Sequence, residues 1–167
     1  RDIIDDSCGA FGGRTFGVAG DSIMAEFGKP GEALRAAFDF QERIVTLNAE
    51  VAEEIRMPFR AGINTGDVIV REGRLYGDDV NIAARLQEFA PHDGVAISAT
   101  TWHHVKDKTS AVFTDLGEFS LKNIALPVQV LIAGRGGNGP AAAAYFASIP
   151  APPGHSRPIA TGPPAIA

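Results

Sequence analysis

Two short apolar runs near the start of the chain, residues 14–19 and 22–27, are separated only by Gly20-Asp21. A Gly-Asp pair between two apolar runs is typical of a tight turn, so the runs are predicted to form a β-hairpin. Apolar residues at three- and four-residue spacing then predict a long helix, which begins near Gly31 and ends between Asn48 and Ile55. A hairpin followed by a helix favours a mixed fold.

The rest of the chain continues this mixture. A helix that ends near Phe11 precedes the first hairpin, and a second hairpin is predicted from residues 59–64 and 68–71, followed by a loop at 73–77. The later predicted elements are a helix at 80–89 with Asp78-Asp79 at its start, a strand at 95–98, a helix at 100–105, and strands at 112–116 and 128–133. Adjacent strands combined with helical crossovers indicate an α+β sandwich, with helices packed on an antiparallel or mixed sheet.

Composition divides the chain at residue 133. Residues 1–133 contain 20 acidic and 13 basic side chains, whereas residues 134–167 contain two arginines, no acidic residue and seven of the eleven prolines. We expect one folded domain over 1–133 and a Pro/Gly/Ala-rich disordered tail or linker over 134–167.

Several classes of protein are excluded by the same composition. An acidic domain without a Lys/Arg cluster argues against nucleic acid as a partner, because neutralisation of phosphates dominates that binding. No segment approaches the roughly 18 to 20 apolar residues of a membrane span, and no signal peptide is recognisable. The sequence therefore predicts a cytoplasmic protein with no membrane segment in this chain.

Asp21 is a candidate metal ligand. It lies in the turn of the first predicted hairpin, and a carboxylate held there suits Mg²⁺, which takes oxygen ligands. The plainer alternative is that Asp is a common turn residue.

Asn81 and Arg85 are candidates for phosphate and sugar binding. They are four residues apart, so they lie on one face of the predicted helix, and the Arg85 fork suits phosphate oxygens. The plainer alternative is an exposed helix flank on which Arg85 pairs with Glu88 or Asp78. Lys122, before the last strand, is either a second phosphate-binding group or a solvated loop lysine.

Several motifs occur in a fixed order. They are Gly13-Arg14, GDSIMAEF at 20–27, RAGINTGDV at 60–68, LYGDDVNIAARL at 75–86, DLGE at 115–118, Leu121-Lys122 and Pro127-Val128. Together they resemble the catalytic domain of the class III adenylate and guanylate cyclases, over residues 1 to 134. The resemblance implies a ferredoxin-like βαββαβ core that works as a head-to-tail homodimer in intracellular signal transduction. It also implies conversion of ATP to 3′,5′-cyclic AMP and pyrophosphate with two Mg²⁺ or Mn²⁺ ions.

The resemblance assigns a role to each candidate residue. Asp21 matches one of two metal-holding aspartates, Asn81 and Arg85 match the catalytic pair that positions the ribose and stabilises charge at phosphorus, and Lys122 matches the phosphate-binding lysine. ATP is favoured over GTP only because it is the commoner substrate of the family.

The chain also departs from the family pattern. Gly17 and Arg74 stand at the two positions that select the base, so neither selector is present, and Asn123 replaces the glycine usual after the lysine. The family's other metal-holding aspartate lies on a strand upstream of the first helix. We therefore expect an N-terminally truncated domain that lacks its first strand and is inactive by itself. The alternative is a degenerate, non-catalytic regulatory or dimerisation module that binds nucleotide or signals to a fused domain.

Overall fold

The computed structural model describes residues 1–19 and 22–136. Its helices are α1 (Asp2–Ala10), α2 (Pro30–Ala49), α3 (Asp78–Leu86) and α4 (Ala99–Val105), with short 3₁₀ turns at Glu53–Ile55 and Gln87–Phe89. Its strands are β1 (Gly13–Ala19), β2 (Ser22–Phe27), β3 (Arg60–Ile63), β4 (Ile69–Arg71), β5 (Arg74–Tyr76), β6 (Gly94–Ser98), β7 (Val112–Phe119) and β8 (Val128–Gly134). Within the described ranges, no helix is both long enough and apolar enough to cross a membrane.

A four-stranded mixed sheet in the order β3-β6-β8-β7 forms the centre of the fold. The β3 and β6 strands run parallel, whereas β8 is antiparallel to both β6 and β7. The β1–β2 pair and the β4–β5 pair form two further, separate antiparallel sheets. The predicted α+β class with a mixed sheet is confirmed.

Helices cover both faces of the central sheet, because its strands alternate apolar side chains between two cores. Val95 and Ile97 of β6 face a core built with α1, α2 and α4, whereas Ala96 between them faces a second core built with Leu86 and Phe89. All five residues of β6 are buried. The sheet is therefore the middle layer of the sandwich.

The first predicted hairpin is confirmed. Strands β1 and β2 pair antiparallel from Gly13 opposite Phe27 to Ala19 opposite Ser22, and Gly20-Asp21 between them lies outside the described residues. Helix α2 begins at Pro30, whose missing N–H suits a first helical turn, and ends at Ala49, as the apolar spacing predicts.

The second predicted hairpin is wrong. Strand β3 does not pair with β4; it pairs in parallel with the buried β6. This pairing packs Ala61 and Ile63 against the core that Val95 and Ile97 of β6 help to form, whereas Ile69 and Val70 of β4 stay exposed.

Strand β4 pairs instead with β5, so the predicted loop at 73–77 is also wrong. The turn residues Glu72 and Gly73 both have positive φ, 49° and 70°, as a two-residue type I′ turn requires. Arg74-Leu75-Tyr76 is too short and too polar to show an apolar strand period.

Two predicted boundaries also shift. The helix predicted at 80–89 is α-helical only to Leu86 and continues as the 3₁₀ turn, and β7 runs to Phe119 rather than 116. The longer strand contains an irregularity in its pairing with β8 between Asp115 and Gly117, where Gly117 has a φ of 96°. The proposed tail lies outside the described residues from 137 onward, so its character stays a prediction.

A cleft of about 780 Å³ lies between β2 and β3. Every residue of both strands lines it, and helices α1, α2 and α3 contribute apolar side chains to its walls, among them Cys8, Phe40 and Val80. In the described part of the chain, β2 pairs only with β1 and β3 pairs only with β6. Each of the two strands therefore presents an unpaired edge toward the cleft.

Candidate active site

Helix α3 carries the two residues that the sequence predicts as a catalytic pair. The helix begins after Gly77, whose φ of 138° is open to glycine, and Asp78 and Asp79 complement the positive end of the helix dipole. Leu86 is fully buried and fixes the other end in the core. These features hold α3 against the sheet.

Asn81 and Arg85 lie on the same flank of α3. At about 100° per residue, four residues separate them by about 40° around the helix axis. Asn81 is exposed, and its side chain has no hydrogen-bond partner among the described residues. An exposed amide beside a guanidinium is a suitable surface for sugar and phosphate oxygens.

Arg85 is half-buried and forms an ion pair. Its Nη1 donates to Oε1 of Glu88 at 3.0 Å, one turn further along the chain. This is one of the pairings that the sequence left open as the plainer alternative. Arg85 therefore has a resting partner that an anionic ligand would have to replace.

Lys122 is exposed in the turn between β7 and β8, and it forms no ion pair with a described residue. Asn123, which follows it, has a φ of 65°, in the left-handed region that glycine and asparagine adopt most readily. Asparagine, like glycine, therefore suits the backbone conformation that the chain has beside the lysine.

The two positions expected to select a base lie on different small sheets. Gly17 is in β1, within the stretch where pairing with β2 is irregular. Arg74 is exposed at the start of β5 and stands opposite Arg71 in the strand pair. Neither position offers a carboxylate or an amide to a base.

The predicted metal site is not formed by the described residues. Asp21 lies outside them, and within residues 1–19 and 22–136 no three His, Cys, Asp or Glu side chains come together as a cation site would require. These residues therefore do not fit two divalent ions on their own.

The sequence predicts only that Asp79 lies at the start of a helix, but the structure shows that it also binds a neighbouring loop. Its side chain does not cap α3; the carboxylate instead reaches the loop that follows β3, residues 64–68. Asn64 Nδ2 donates to Oδ1 of Asp79 at 2.9 Å, and the backbone N–H of Asp67 donates to Oδ2 at 3.0 Å. The sequence signal is the short polar segment Asn64-Thr65-Gly66-Asp67 directly after the apolar residues of β3.

A second set of hydrogen bonds holds the same loop from the other side. Thr65 Oγ1 lies 3.0 Å from Oγ1 of Thr101, a fully buried residue of α4. Thr101 also donates to the carbonyl oxygen of Ile63 at 3.3 Å and lies 3.1 Å from Ser98 Oγ. The loop is therefore fixed between α3 and α4.

Comparison with known proteins agrees with this architecture. The family described as "Adenylate and Guanylate cyclase catalytic domain" matches residues 2–134. A relative from Rhizobium meliloti (strain 1021), named "Putative adenylate cyclase 3", is 34% identical over 130 residues, which cover 78% of this chain. The chain spans only 22% of that relative's length.

Solved structures give the same result. A structure described as an adenylate/guanylate cyclase/hydrolase from Silicibacter pomeroyi is 32% identical, with a TM-score of 0.73 over 80% of this chain and 79% of that one. The adenylyl cyclase CyaB from P. aeruginosa, at 21% identity, shares the fold with a TM-score of 0.64 over 82% of this chain and 79% of its own. The motifs, the sandwich and the family match agree, and the chain belongs to the class III adenylate and guanylate cyclase catalytic domain family.

Proposed function

We propose that the protein containing this chain is a cytoplasmic nucleotidyl cyclase that converts ATP to 3′,5′-cyclic AMP and pyrophosphate in intracellular signalling. The observation that carries the proposal is the placement of Asn81 and Arg85 on one flank of α3, within a domain of the cyclase family. The preference for ATP is supported by the name of the Rhizobium meliloti relative.

The proposed reaction is an attack of the nucleotide's 3′-oxygen on its own α-phosphorus. The new bond joins O3′ to phosphorus, the bond from phosphorus to the pyrophosphate oxygen breaks, and the proton of the 3′-hydroxyl passes to solvent. Arg85 would stabilise the negative charge on the transferring phosphoryl group, and Asn81 would hold the ribose. Lys122 would bind a phosphate oxygen through its exposed ammonium group.

Arg85 reaches the phosphate only when it leaves Glu88. The ion pair is partly exposed, so its contribution to stability is small, on the order of 0 to 1 kcal/mol. A nucleotide triphosphate, with several negative charges, is a stronger competitor for the guanidinium than one carboxylate.

The proposed reaction uses divalent ions, although the described residues do not form a site for them. Mg²⁺ or Mn²⁺ would need Asp21 and a further carboxylate from outside the described residues. We propose that this carboxylate arrives on a strand that fills the cleft between β2 and β3, since both edges there are unpaired and the walls are apolar. The chain by itself is then inactive.

The proposed assembly is a head-to-tail homodimer. Its support is the β4–β5 hairpin, on which Ile69, Val70 and Tyr76 are exposed, with Ile69 at 58%, together with the exposed Val68 directly before it. Apolar side chains grouped on a surface mark an interaction site.

The test is an assay of cyclic nucleotide formation from ATP and from GTP with Mn²⁺, on the chain together with its natural flanking residues. We expect product from ATP, and a loss on the order of 10²-fold or more in Arg85→Ala, as for removal of a group that stabilises developing charge. Arg56→Ala, which removes an exposed arginine outside α3, is the matched control. No product from either nucleotide by a folded dimer would contradict the proposal.

The second candidate is a regulatory module that binds nucleotide without turnover. Gly17 and Arg74 favour it, because neither is a residue that the family uses to select the base, and so does the ion pair that occupies Arg85. Saturable nucleotide binding with no cyclic product would support this candidate, and turnover would exclude it.

A further inference from the structure

We infer that Asp79 is a positioning residue that sets the orientation of α3, and through it the placement of Asn81 and Arg85. The inference rests on the proposed function, because it concerns how the proposed site is held. Both oxygens of the Asp79 carboxylate are engaged, one by Asn64 and one by the Asp67 N–H. A side chain fixed at both oxygens cannot rotate freely, so the helix that carries it is fixed to the loop.

The direction of Asp79 separates it from the site residues. At about 100° per residue, Asn81 and Arg85 lie about 200° and 240° around the α3 axis from Asp79. Asp79 lines the cleft between β2 and β3 together with Val80 and Ala83, whereas Asn81 and Arg85 do not. Asp79 therefore holds α3 from the side opposite the proposed nucleotide.

Close packing makes this attachment rigid. A Cβ on Gly66 would lie 2.0 Å from Cγ of Asp79 and 2.1 Å from its Oδ2, so the carboxylate rests directly against the loop backbone. A Cβ on Gly77, immediately before α3, would lie 3.1 Å from the carbonyl oxygen of Asp67. The loop thus contacts the start of α3 at two points.

The loop is itself attached to the core, which makes it a firm support. Thr65 meets the fully buried Thr101, and Thr101 in turn binds the end of β3. A chain of contacts therefore runs from the central sheet through Thr65 and the loop to Asp79, and from there to the first turn of α3. A small displacement of a group that contacts phosphorus removes much of the rate acceleration that the group provides, so this support matters to the proposed chemistry.

The first measurement is amide hydrogen exchange on the 167-residue chain. Asp79→Ala should speed exchange of the Asp67 N–H and of the first turn of α3, whereas Asp78→Asn, which removes the neighbouring charge at the same helix end, should not affect the loop. Unchanged exchange at Asp67 in Asp79→Ala would overturn the inference.

The second measurement is the affinity of the flanked protein for α,β-methylene-ATP with Mn²⁺. We expect Asp79→Ala to weaken binding on the order of tenfold, the size typical of residues that orient a direct ligand. In an Asn81→Ala background the same substitution should have a smaller effect than in the wild type, because one of the two groups that it positions is gone. Full additivity, or equal affinity of Asp79→Ala and wild type, contradicts positioning.

A reciprocal exchange separates hydrogen bonding from general damage. Asp79→Asn should weaken binding, because the NH₂ group of the new amide faces a donor, either the Asn64 amide or the Asp67 N–H. Adding Asn64→Asp gives that NH₂ group an acceptor, while the oxygen of the new amide still accepts from the Asp67 N–H, so the double variant should recover part of the affinity. Recovery is partial because the hydrogen bond from Asn64 Nδ2 to the carbonyl oxygen of Asp79, 3.2 Å in the wild type, stays lost. Failure of this rescue in a folded double variant counts against the inference, whereas absence of nucleotide binding by wild type contradicts the proposed function itself.

Discussion

Asn123 shows how one backbone angle explains a departure from a family pattern. The sequence shows only that asparagine stands where glycine is usual, and this substitution by itself places the neighbouring lysine in doubt. The φ of 65° explains the pattern, because glycine and asparagine are the residues that adopt this conformation at least cost. Asparagine therefore occupies this position at little conformational cost, next to Lys122 in the turn.

Cys8 provides a test of burial at the residue scale. Its side chain is 4% exposed, and burial, with a smaller contribution from the charge of Asp5, raises the pKa of the thiol to about 11 from an ordinary value of 9.0. The thiolate is the reactive form, so iodoacetamide should modify the folded chain slowly at pH 8, with a rate that rises toward pH 11. The comparison is the same chain in urea, whose rate should have its inflection near pH 9 and level off above it.

The same shift has a consequence for stability. The unfolded thiol ionises near pH 9 and the folded thiol near 11, so between these values the folded state holds more protons and the free energy of unfolding should fall as pH rises. Below pH 9 this contribution is fully present. In the iodoacetamide experiment, rapid modification of the folded chain with an inflection near pH 9 would show that Cys8 is not buried.

At the scale of elements, Gly62 determines how closely α3 approaches β3. A Cβ at this position would lie 2.3 Å from the carbonyl oxygen of Ala83 and 2.5 Å from the backbone nitrogen of Gln87. Gly62→Ala should therefore push the helix away and lower the free energy of unfolding by roughly 1–3 kcal/mol, the cost of overpacking.

The matched control is Gly9→Ala in α1. Apart from the neighbouring residues and backbone of its own helix, no atom lies within 4 Å of a Cβ built there, so alanine should raise stability by up to about 1 kcal/mol through helix propensity. Denaturant unfolding of both variants measures the two effects. Equal stabilities of Gly62→Ala and wild type would mean that α3 does not pack on Gly62 as described.

Signals within a segment predict where helices and strands lie better than they predict which strands pair. The β1–β2 hairpin and α2 follow from a Gly-Asp pair and an apolar period, both of which act within the segment itself. The pairing of β3 with β6 depends on the burial of residues that are far apart in the chain, such as Arg60 opposite Gly94, which no local signal contains. For the same reason the sequence identifies Asn81 and Arg85 by their spacing but cannot show the contact between Asn64 and Asp79.

At the scale of the whole molecule, the described domain ends in a buried strand. Val130 and Ile132 of β8 are fully buried and contribute to the core on the side of α3. Since residues 137–167 have the composition of a linker, a chain that ends at Gly136 should unfold at the same temperature as the full chain. A chain that ends at Gln129 should not fold, because it loses the centre of the sheet. A lower unfolding temperature after removal of 137–167 alone would show that this segment contributes to the fold.

The packing of the β1–β2 pair against the rest of the domain determines how the domain responds to cooling. Since no strand hydrogen bonds cross the cleft in the described structure, α1 and α2 hold the two parts together mainly through apolar contacts such as those of Ile4, Leu34 and Phe40. Apolar contacts weaken on cooling, whereas strand ladders depend much less on the release of water. On cooling, the β1–β2 hairpin should therefore separate from the central sheet before either part loses its own strand-to-strand hydrogen bonds. The cleft between β2 and β3 is then the place where the domain opens at low temperature.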